Sequence, residues 1–282
     1  MIQKSDGAAN YATTDLATLA FRLEGWRPDE IIYVTDGRQQ LHFSQLFAIF
    51  GRWHPEATIK LAHVWFGSIL GEDGRPLKTR SGETVKLAHL LDEAEERALK
   101  VVSEKNPELT QAQRGEIARV VGIGAIKYVD LLPNRQSDYV FSWDKLLALN
   151  GNTAPYLQYA YARIRSIFRK LPGAPRGARG PSSPEASQHS SLDLLAAEEV
   201  TLARHLLNFG LVLQAVGAEY RPNLLCNYLY ELAGHFARFY ENCPVLKAEL
   251  TDRARRLTLC ELTARVLISG LEVLGIQTLE EM

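Results

Sequence analysis

Cysteine is scarce in this chain and scattered: Cys226, Cys243 and Cys260 lie far apart, with no C-x-x-C pair and no partnering histidine cluster. That spacing argues against a zinc site and a disulfide framework, so no metal site is predicted and a reducing cytoplasm is expected. An excess of one charge is also lacking. With 32 Lys and Arg against 33 Asp and Glu the net charge is −1, which excludes a global basic field for nucleic acid and leaves only a local patch. The N-terminal M-I-Q-K-S-D-G carries no apolar leader, and no apolar run approaches the roughly 18 residues of a membrane span. A soluble cytoplasmic protein without membrane contact is expected. What is present is apolar residue, 46% of 282, enough for a substantial core shared between two domains.

The stretch that organises the chain runs from His63 to Ala98. It opens as an aromatic and β-branched run that reads as a buried strand. Gly71 and Gly74 then bracket Glu72-Asp73 in a tight turn. Next comes Arg75-Pro-Leu-Lys-Thr-Arg-Ser-Gly82, with three cations, two hydroxyls and a closing glycine. Lysine offers a point charge and arginine a planar fork, so such a loop can clamp polyanionic oxygens; the same composition also makes an ordinary solvated turn. A helix with Leu87, Leu90, Leu91, Ala94 and Ala98 along one face follows. The order strand, G-x-D-G, Lys/Thr/Arg loop, Gly and D-E-A-x-E-R-A helix resembles the signature-loop region of class I aminoacyl-tRNA synthetases, and more narrowly of arginyl-tRNA synthetase. The resemblance implies a loop that clamps ATP phosphates, with Mg2+ accompanying the nucleotide, during amino-acid activation. P-L-K-T-R-S stands where the family has K-M-S-K-S, so proline replaces the first lysine and Lys78, Thr79 and Arg80 are left as the catalytic candidates.

Upstream, Tyr11 and Asp15 precede the apolar positions Leu16, Leu19, Ala20 and Leu23. Asp15 reads either as an N-cap or first-turn acid, or, four residues from Tyr11 on one helical face, as half of a cation site. The pattern Y-x-T-x-D-L-A resembles the arginyl family again, and implies that Tyr11 and Asp15 hold the arginine substrate. I-I-Y-V-T then reads as a buried parallel strand, followed by Asp36-Gly-Arg-Gln-Gln-Leu-His42 and a helix through Phe43, Leu46, Phe47, Ile49 and Phe50. Ligands of open α/β sheets sit beyond the carboxyl ends of strands, which places this polar cluster for binding; a capped loop is the alternative. By its resemblance to the family segment, Gln39 contacts arginine, while His42, His63, Phe66 and Gly67 line the nucleotide. From the residues alone His63 serves equally as a core histidine.

From Asp92 to Asp130 the pattern is helical, broken at Asn106-Pro107, and Gly122 and Gly124 indicate close helix packing. A second, wholly helical domain begins near Asn150. In its first helix Leu157, Ala160, Ile164 and Ile167 form a core stripe, while Tyr156, Tyr159, Arg163 and Lys170 form an aromatic and basic one. Cations track phosphates and tyrosine rings stack on unpaired bases, which suits a single-stranded RNA loop; an ordinary amphipathic helix presents the same pattern. Residues 171–191, rich in Pro, Gly and Ser, read as a flexible insert. Three helices are expected after it, about Leu192–Tyr220, Pro222–Cys243 and Thr251–Leu274. G-N-T-A-P-Y-L-Q-Y-A-Y-A-R-I-R-S-I, R-P-N-L-L-C-N-Y-L-Y-E-L-A and the ending G-L-E-V-L-G-I-x-x-x-E-x-M resemble the anticodon-binding domain of arginyl synthetases. On that resemblance Asn152, Tyr156, Tyr159, Arg163 and Arg165 contact tRNA.

The fold expected is thus α/β over 1–149, the C-terminal half of a class I synthetase Rossmann-like catalytic domain with its connecting helices. A helical-bundle anticodon-binding domain over 150–282 follows, and the whole is mainly α. The H-I-G-H motif of the family's first nucleotide-binding half is absent from this sequence. The resemblance implies an arginine–tRNA ligase, using ATP to activate arginine and transferring it to tRNA(Arg), of which this chain supplies part of the active site and the anticodon domain. Such a chain is expected to be inactive alone and to need an N-terminal half as partner. The alternative is a non-catalytic tRNA-binding or assembly module derived from the same half.

Overall fold

The computed structural model describes residues 3–76, 85–171, 194 and 196–282. The chain divides into two compact units, Met1–Ile69 with Arg135–Tyr139, and Leu70–Asn134 with Val140–Met282.

The first unit is built on a β-α-β segment. Helix α1 (Tyr11–Trp26) starts at Asn10, whose side chain accepts from the Thr13 amide at 3.1 Å. The cap is therefore Asn10, and Asp15 sits one turn inside the helix, which removes the capping role held open for it. Strand β1 (Glu30–Asp36) pairs in parallel with β2 (Lys60–Phe66), in register from Glu30 opposite Lys60 to Asp36 opposite Phe66. Helix α2 (Gln40–Trp53) makes the crossover that a parallel pair requires. Leu16, Leu19, Ile31, Phe43, Leu46 and Phe50 close into one apolar cluster between helices and sheet. The buried-strand expectation holds for one face only. Ile31 is buried, whereas Ile32 and Val34 are 45% and 63% exposed. Parallel strands are ordinarily covered on both faces, and in this unit the helices cover one.

Beyond it, β3 (Ile69–Leu70) pairs with β4 (Tyr139–Val140) in a small second sheet. The turn expected at Gly71–Gly74 is present, with Gly74 at a φ of +70° and the Gly71 amide donating to the Arg75 carbonyl at 2.7 Å. In the second unit α3 (Leu87–Lys105) and α4 (Gln111–Leu131) lie against each other. Gly122 is what allows it: a Cβ there would fall 2.8 Å from the Ala94 backbone. Thr110 opens α4 with a capping box closed by Gln113.

After the short helix α5 (Trp143–Leu146) come α6 (Ala154–Arg169), α7 (Ala197–Leu207), α8 (Phe209–Glu219), α9 (Pro222–Asn242) and α10 (Leu250–Val273). The core stripe expected on α6 is buried at all four positions, and it meets Leu225, Leu229, Leu232, Phe239 and Leu267 from α9 and α10. Two helices stand where one was expected over 192–220. The break falls at Asn208, and the apolar periodicity runs through it uninterrupted. By length and mean hydropathy Ala197–Glu219 is apolar enough to cross a membrane, although Glu198, Glu199 and Arg204 interrupt it and its longest uncharged run stays short of 18 residues. Phe209, Val212, Leu213 and Val216 of this stretch pack on the helical core instead. The insert read over 171–191 lies, apart from Leu171, outside the described residues. All three cysteines are buried in this unit, and burial pushes the Cys226 and Cys260 thiols up to about 12.

Candidate functional site

In the first unit the helical turn Tyr11–Asp15 and the start of α2 meet. His42 Nε2 stands 2.7 Å from Asp15 Oδ2, and the Tyr11 ring lies 4.9 Å from the His42 ring. The ring of His42 also meets Phe43 edge-on. Asp15 is thereby held by one oxygen, with its side chain 38% exposed and the Tyr11 ring, 69% exposed, beside it. A fixed carboxylate flanked by an aromatic face is chemistry suited to a guanidinium, which takes charge-assisted hydrogen bonds in its plane and stacking above it. Gln39 is exposed at the end of the single 3-10 turn that opens α2. Asp36 caps that turn and forks onto Arg38; the Arg38 hydrogen bonds, from side chain and backbone, hold the Asp36 carboxyl below its usual range.

His63 sits mid-β2 with Nε2 2.8 Å from Thr35 Oγ1 on β1 and its ring 4.4 Å from Phe43. Burial, then the charges of Arg135 and His42, push its pKa below the ordinary imidazole value. His42 is hydrogen-bonded to Asp15, and Phe43 packs against both histidine rings. Phe66, 45% exposed, and Gly67 lie at the carboxyl end of β2. Gly67 is a steric requirement: a Cβ would lie 2.7 Å from the Ser137 backbone, where the Gly67 amide donates to the Arg135 carbonyl at 2.8 Å. Lys78, Thr79 and Arg80 lie outside the described residues. Among the described residues no group of three or more His, Cys, Asp or Glu gathers as a metal site.

The helical unit carries a second cluster. Asn152 Nδ2 donates to Asn227 Oδ1 at 3.2 Å, and the Tyr128 hydroxyl bridges Asn152 Oδ1 and the Cys226 carbonyl. Tyr156 meets Tyr230 edge-to-face at 5.7 Å, Tyr159 is 45% exposed, and the Arg163 guanidinium lies over the Tyr240 ring at 4.9 Å. Arg238, on the same α9 surface, donates to His235. Asn227, Tyr230, Arg238 and Tyr240 were not singled out from sequence, where R-P-N-L-L-C-N-Y-L-Y-E-L-A carried only a whole-segment resemblance. The signal lies in their spacing, which keeps Asn227, Tyr230 and Arg238 on one ridge.

Arg165 does not join this face. Its side chain is 7% exposed, with Nε 2.8 Å from Glu280 Oε2 and a guanidinium nitrogen 3.5 Å from Glu261. Two residues from Arg163 on a helix point about 200° apart, so the cation turns inward to hold the C-terminal segment. Tyr161 donates to Glu280, Gln158 donates to the Gln277 carbonyl, and Arg169 donates to the Glu280 carbonyl. Burial and the Glu280 hydrogen bond push the Tyr161 phenol up to about 12.

A family model described as the catalytic domain of class I tRNA synthetases (R) matches residues 1–143, and one described as the DALR anticodon binding domain matches 157–282. Proteins named arginine–tRNA ligase from Chromobacterium violaceum and Laribacter hongkongensis are each 49% identical over the full chain, which covers 47% of their lengths. Among solved structures, arginyl-tRNA synthetase from Plasmodium falciparum matches all of the chain at 31% identity with a TM-score of 0.82, over 46% of that protein. The Thermus thermophilus arginyl-tRNA synthetase matches at 28% with a TM-score of 0.83, over 50%. The chain spans about half the length of the curated relatives it matches, and it belongs to the class I arginyl-tRNA synthetase family, of which it represents the C-terminal portion.

Proposed function

We propose that this chain works as part of an arginine–tRNA ligase, which activates arginine with ATP and esterifies it to tRNA(Arg). The single observation that carries the reading is that a catalytic and an anticodon-binding family model match in order along the chain, with a guanidinium-type site in one and an aromatic-basic face in the other. In this reading Asp15 takes the charged end of arginine, oriented by His42, with Tyr11 and Gln39 beside it. His63, Phe66 and Gly67 form the nucleotide wall, and Lys78, Thr79 and Arg80 clamp the phosphates of ATP as pyrophosphate departs. Such chemistry rests on positioning and electrostatic stabilisation. Asn152, Tyr156, Tyr159 and Arg163 take the anticodon loop of tRNA, joined by Tyr230; Arg165 is left out because it is buried and paired. Functional division falls near residue 150, and the reaction is cytoplasmic.

The half of the family's active site that bears H-I-G-H is supplied by residues outside this sequence. The test is tRNA charging by purified 1–282, alone and mixed with the N-terminal half of the Chromobacterium violaceum relative. Charging only in the mixture supports the reading. Charging by the chain alone contradicts the requirement for a second half, and a mixture that stays inactive while both parts are folded favours a non-catalytic tRNA-binding module.

A further inference from the structure

Two aspartates of the first unit are held differently. Asp36 is filled by the chain's own guanidinium, with Arg38 nitrogens 2.8 and 3.0 Å from its two oxygens. Asp15 has no such partner. Among the described residues no lysine or arginine pairs with it, and its bond goes to His42 Nε2 at 2.7 Å. Arg22, on the same helix, is directed to Tyr33 instead, donating to its hydroxyl at 3.2 Å with the guanidinium 5.6 Å from the ring centroid. A carboxylate accepts and does not donate, so the proton of the Asp15–His42 bond is on Nε2. The His42 side chain is 16% exposed against 38% for Asp15, which puts the imidazole on the inner side of the carboxylate. That ring has little room to turn. Tyr11 lies 4.9 Å from it and Phe43 meets it edge-on at 5.1 Å. Phe43 in turn lies 4.4 Å from His63, whose Nε2 is 2.8 Å from Thr35 Oγ1 on β1. A line of contacts thus runs from the sheet through two histidines to one oxygen of Asp15.

We propose that His42 is the positioning residue by which this site selects arginine over lysine. It acts through Asp15, by fixing the plane of the carboxylate. The inference rests on the reading of Tyr11 and Asp15 as the arginine site and deepens it. It gives His42 a task on the amino-acid side, where the family resemblance implied the nucleotide side. A guanidinium is flat and offers its N–H groups as a fork, so its bonds to a carboxylate are strong only when the two planes coincide. An ammonium is a point charge with three donors on a rotating head, and it has no plane to match. A carboxylate free to rotate therefore meets both cations alike, whereas one held in plane rewards the guanidinium. The Tyr11 ring beside Asp15 attracts either cation through its face, so the discrimination falls to the carboxylate and to the imidazole that holds it.

The experiment is titration of L-arginine and of L-lysine into the purified chain, followed by the NMR signals of the Tyr11 ring. The wild type is expected to saturate with arginine at lower concentration than with lysine. His42→Leu, which fills the space of the ring without its donor, should weaken arginine on the order of tenfold and change lysine by less than about threefold. His42→Gln places an amide donor near the Nε2 position and should keep most of the arginine preference. His42→Asn, one methylene shorter, should lose it. Should His42→Leu unfold, the contrast between the Gln and Asn variants decides by the same ratio. A purely structural role for His42 would weaken both amino acids alike. If the variants leave the arginine-to-lysine ratio at its wild-type value, or if the wild type binds the two equally, the assignment of His42 is overturned while the arginine site stands. If the wild type shows no saturable response to arginine, the reading of Tyr11 and Asp15 falls and the inference falls with it.

Discussion

A single missing side chain at residue 67 ties a nucleotide-wall candidate to the architecture of its unit. Gly67 lets the 135–138 segment come close enough for its amide to reach the Arg135 carbonyl, and for the Ser68 amide to reach Asp138 Oδ1 at 2.6 Å. A Cβ within 2.7 Å of the Ser137 backbone forces that segment away. Gly67→Ala is therefore expected to destabilise the first unit by about 1–3 kcal/mol, the usual penalty of overpacking, read as a lower urea midpoint. An unchanged midpoint would show that the 135–138 segment yields without loss. The sequence showed this glycine only as part of a family motif, since its steric reason lies about 70 residues away in the chain. That Tyr11 and Asp15 share one helical face was legible from their spacing; the cation site proposed there rests on that neighbourhood. The partner of Asp15, His42, was not, because the contact joins two helices across the top of the sheet.

Among the elements, helices carried the clearest sequence signal. The α6 stripe of Leu157, Ala160, Ile164 and Ile167 is buried as its 3.6-residue period requires. The same period, applied to Arg163 and Arg165, separates them onto opposite faces; counting basic residues along the run hid this. The C-terminal G-I-Q-T-L-E-E-M has no period to read, yet it is bound along α6. Burial alone would raise the Glu280 carboxyl, but hydrogen bonds from Arg165 and Tyr161 and the charges of Arg165 and Arg169 outweigh it and hold it below the ordinary value. A carboxyl depressed in the folded state stabilises above its unfolded pKa, near 4.3 for glutamate, and that contribution fades as pH falls through the folded value. Amide exchange in 276–282 is therefore expected to stay slow at neutral pH and to quicken below about pH 4. Glu280→Gln should quicken it at pH 7 as well. Equal exchange in wild type and variant at neutral pH would mean that Gln158 and the buried Ile276 side chain anchor the tail without the ion pair.

For the molecule as a whole, two units with different surfaces argue for two tasks. The first leaves the strand residues Ile32 and Val34 uncovered on one face of its sheet, apolar surface of the kind that ordinarily meets another part of a protein. The second closes its own core and turns an aromatic, basic face outward, even though the chain carries a net charge of only −1. On the function proposed above, RNA binding by a near-neutral chain comes from local placement, with cations tracking phosphates and rings stacking on bases. The most direct test of that claim is the affinity of the purified chain for an arginine-accepting tRNA and for the same tRNA with its anticodon replaced, measured across a salt series. We predict that the anticodon change weakens binding by about tenfold or more, the worth of one or two lost stacking or edge contacts, and that this ratio persists as salt rises. Binding that weakens with salt and ignores the anticodon would contradict the account, leaving the helical unit a general polyanion binder.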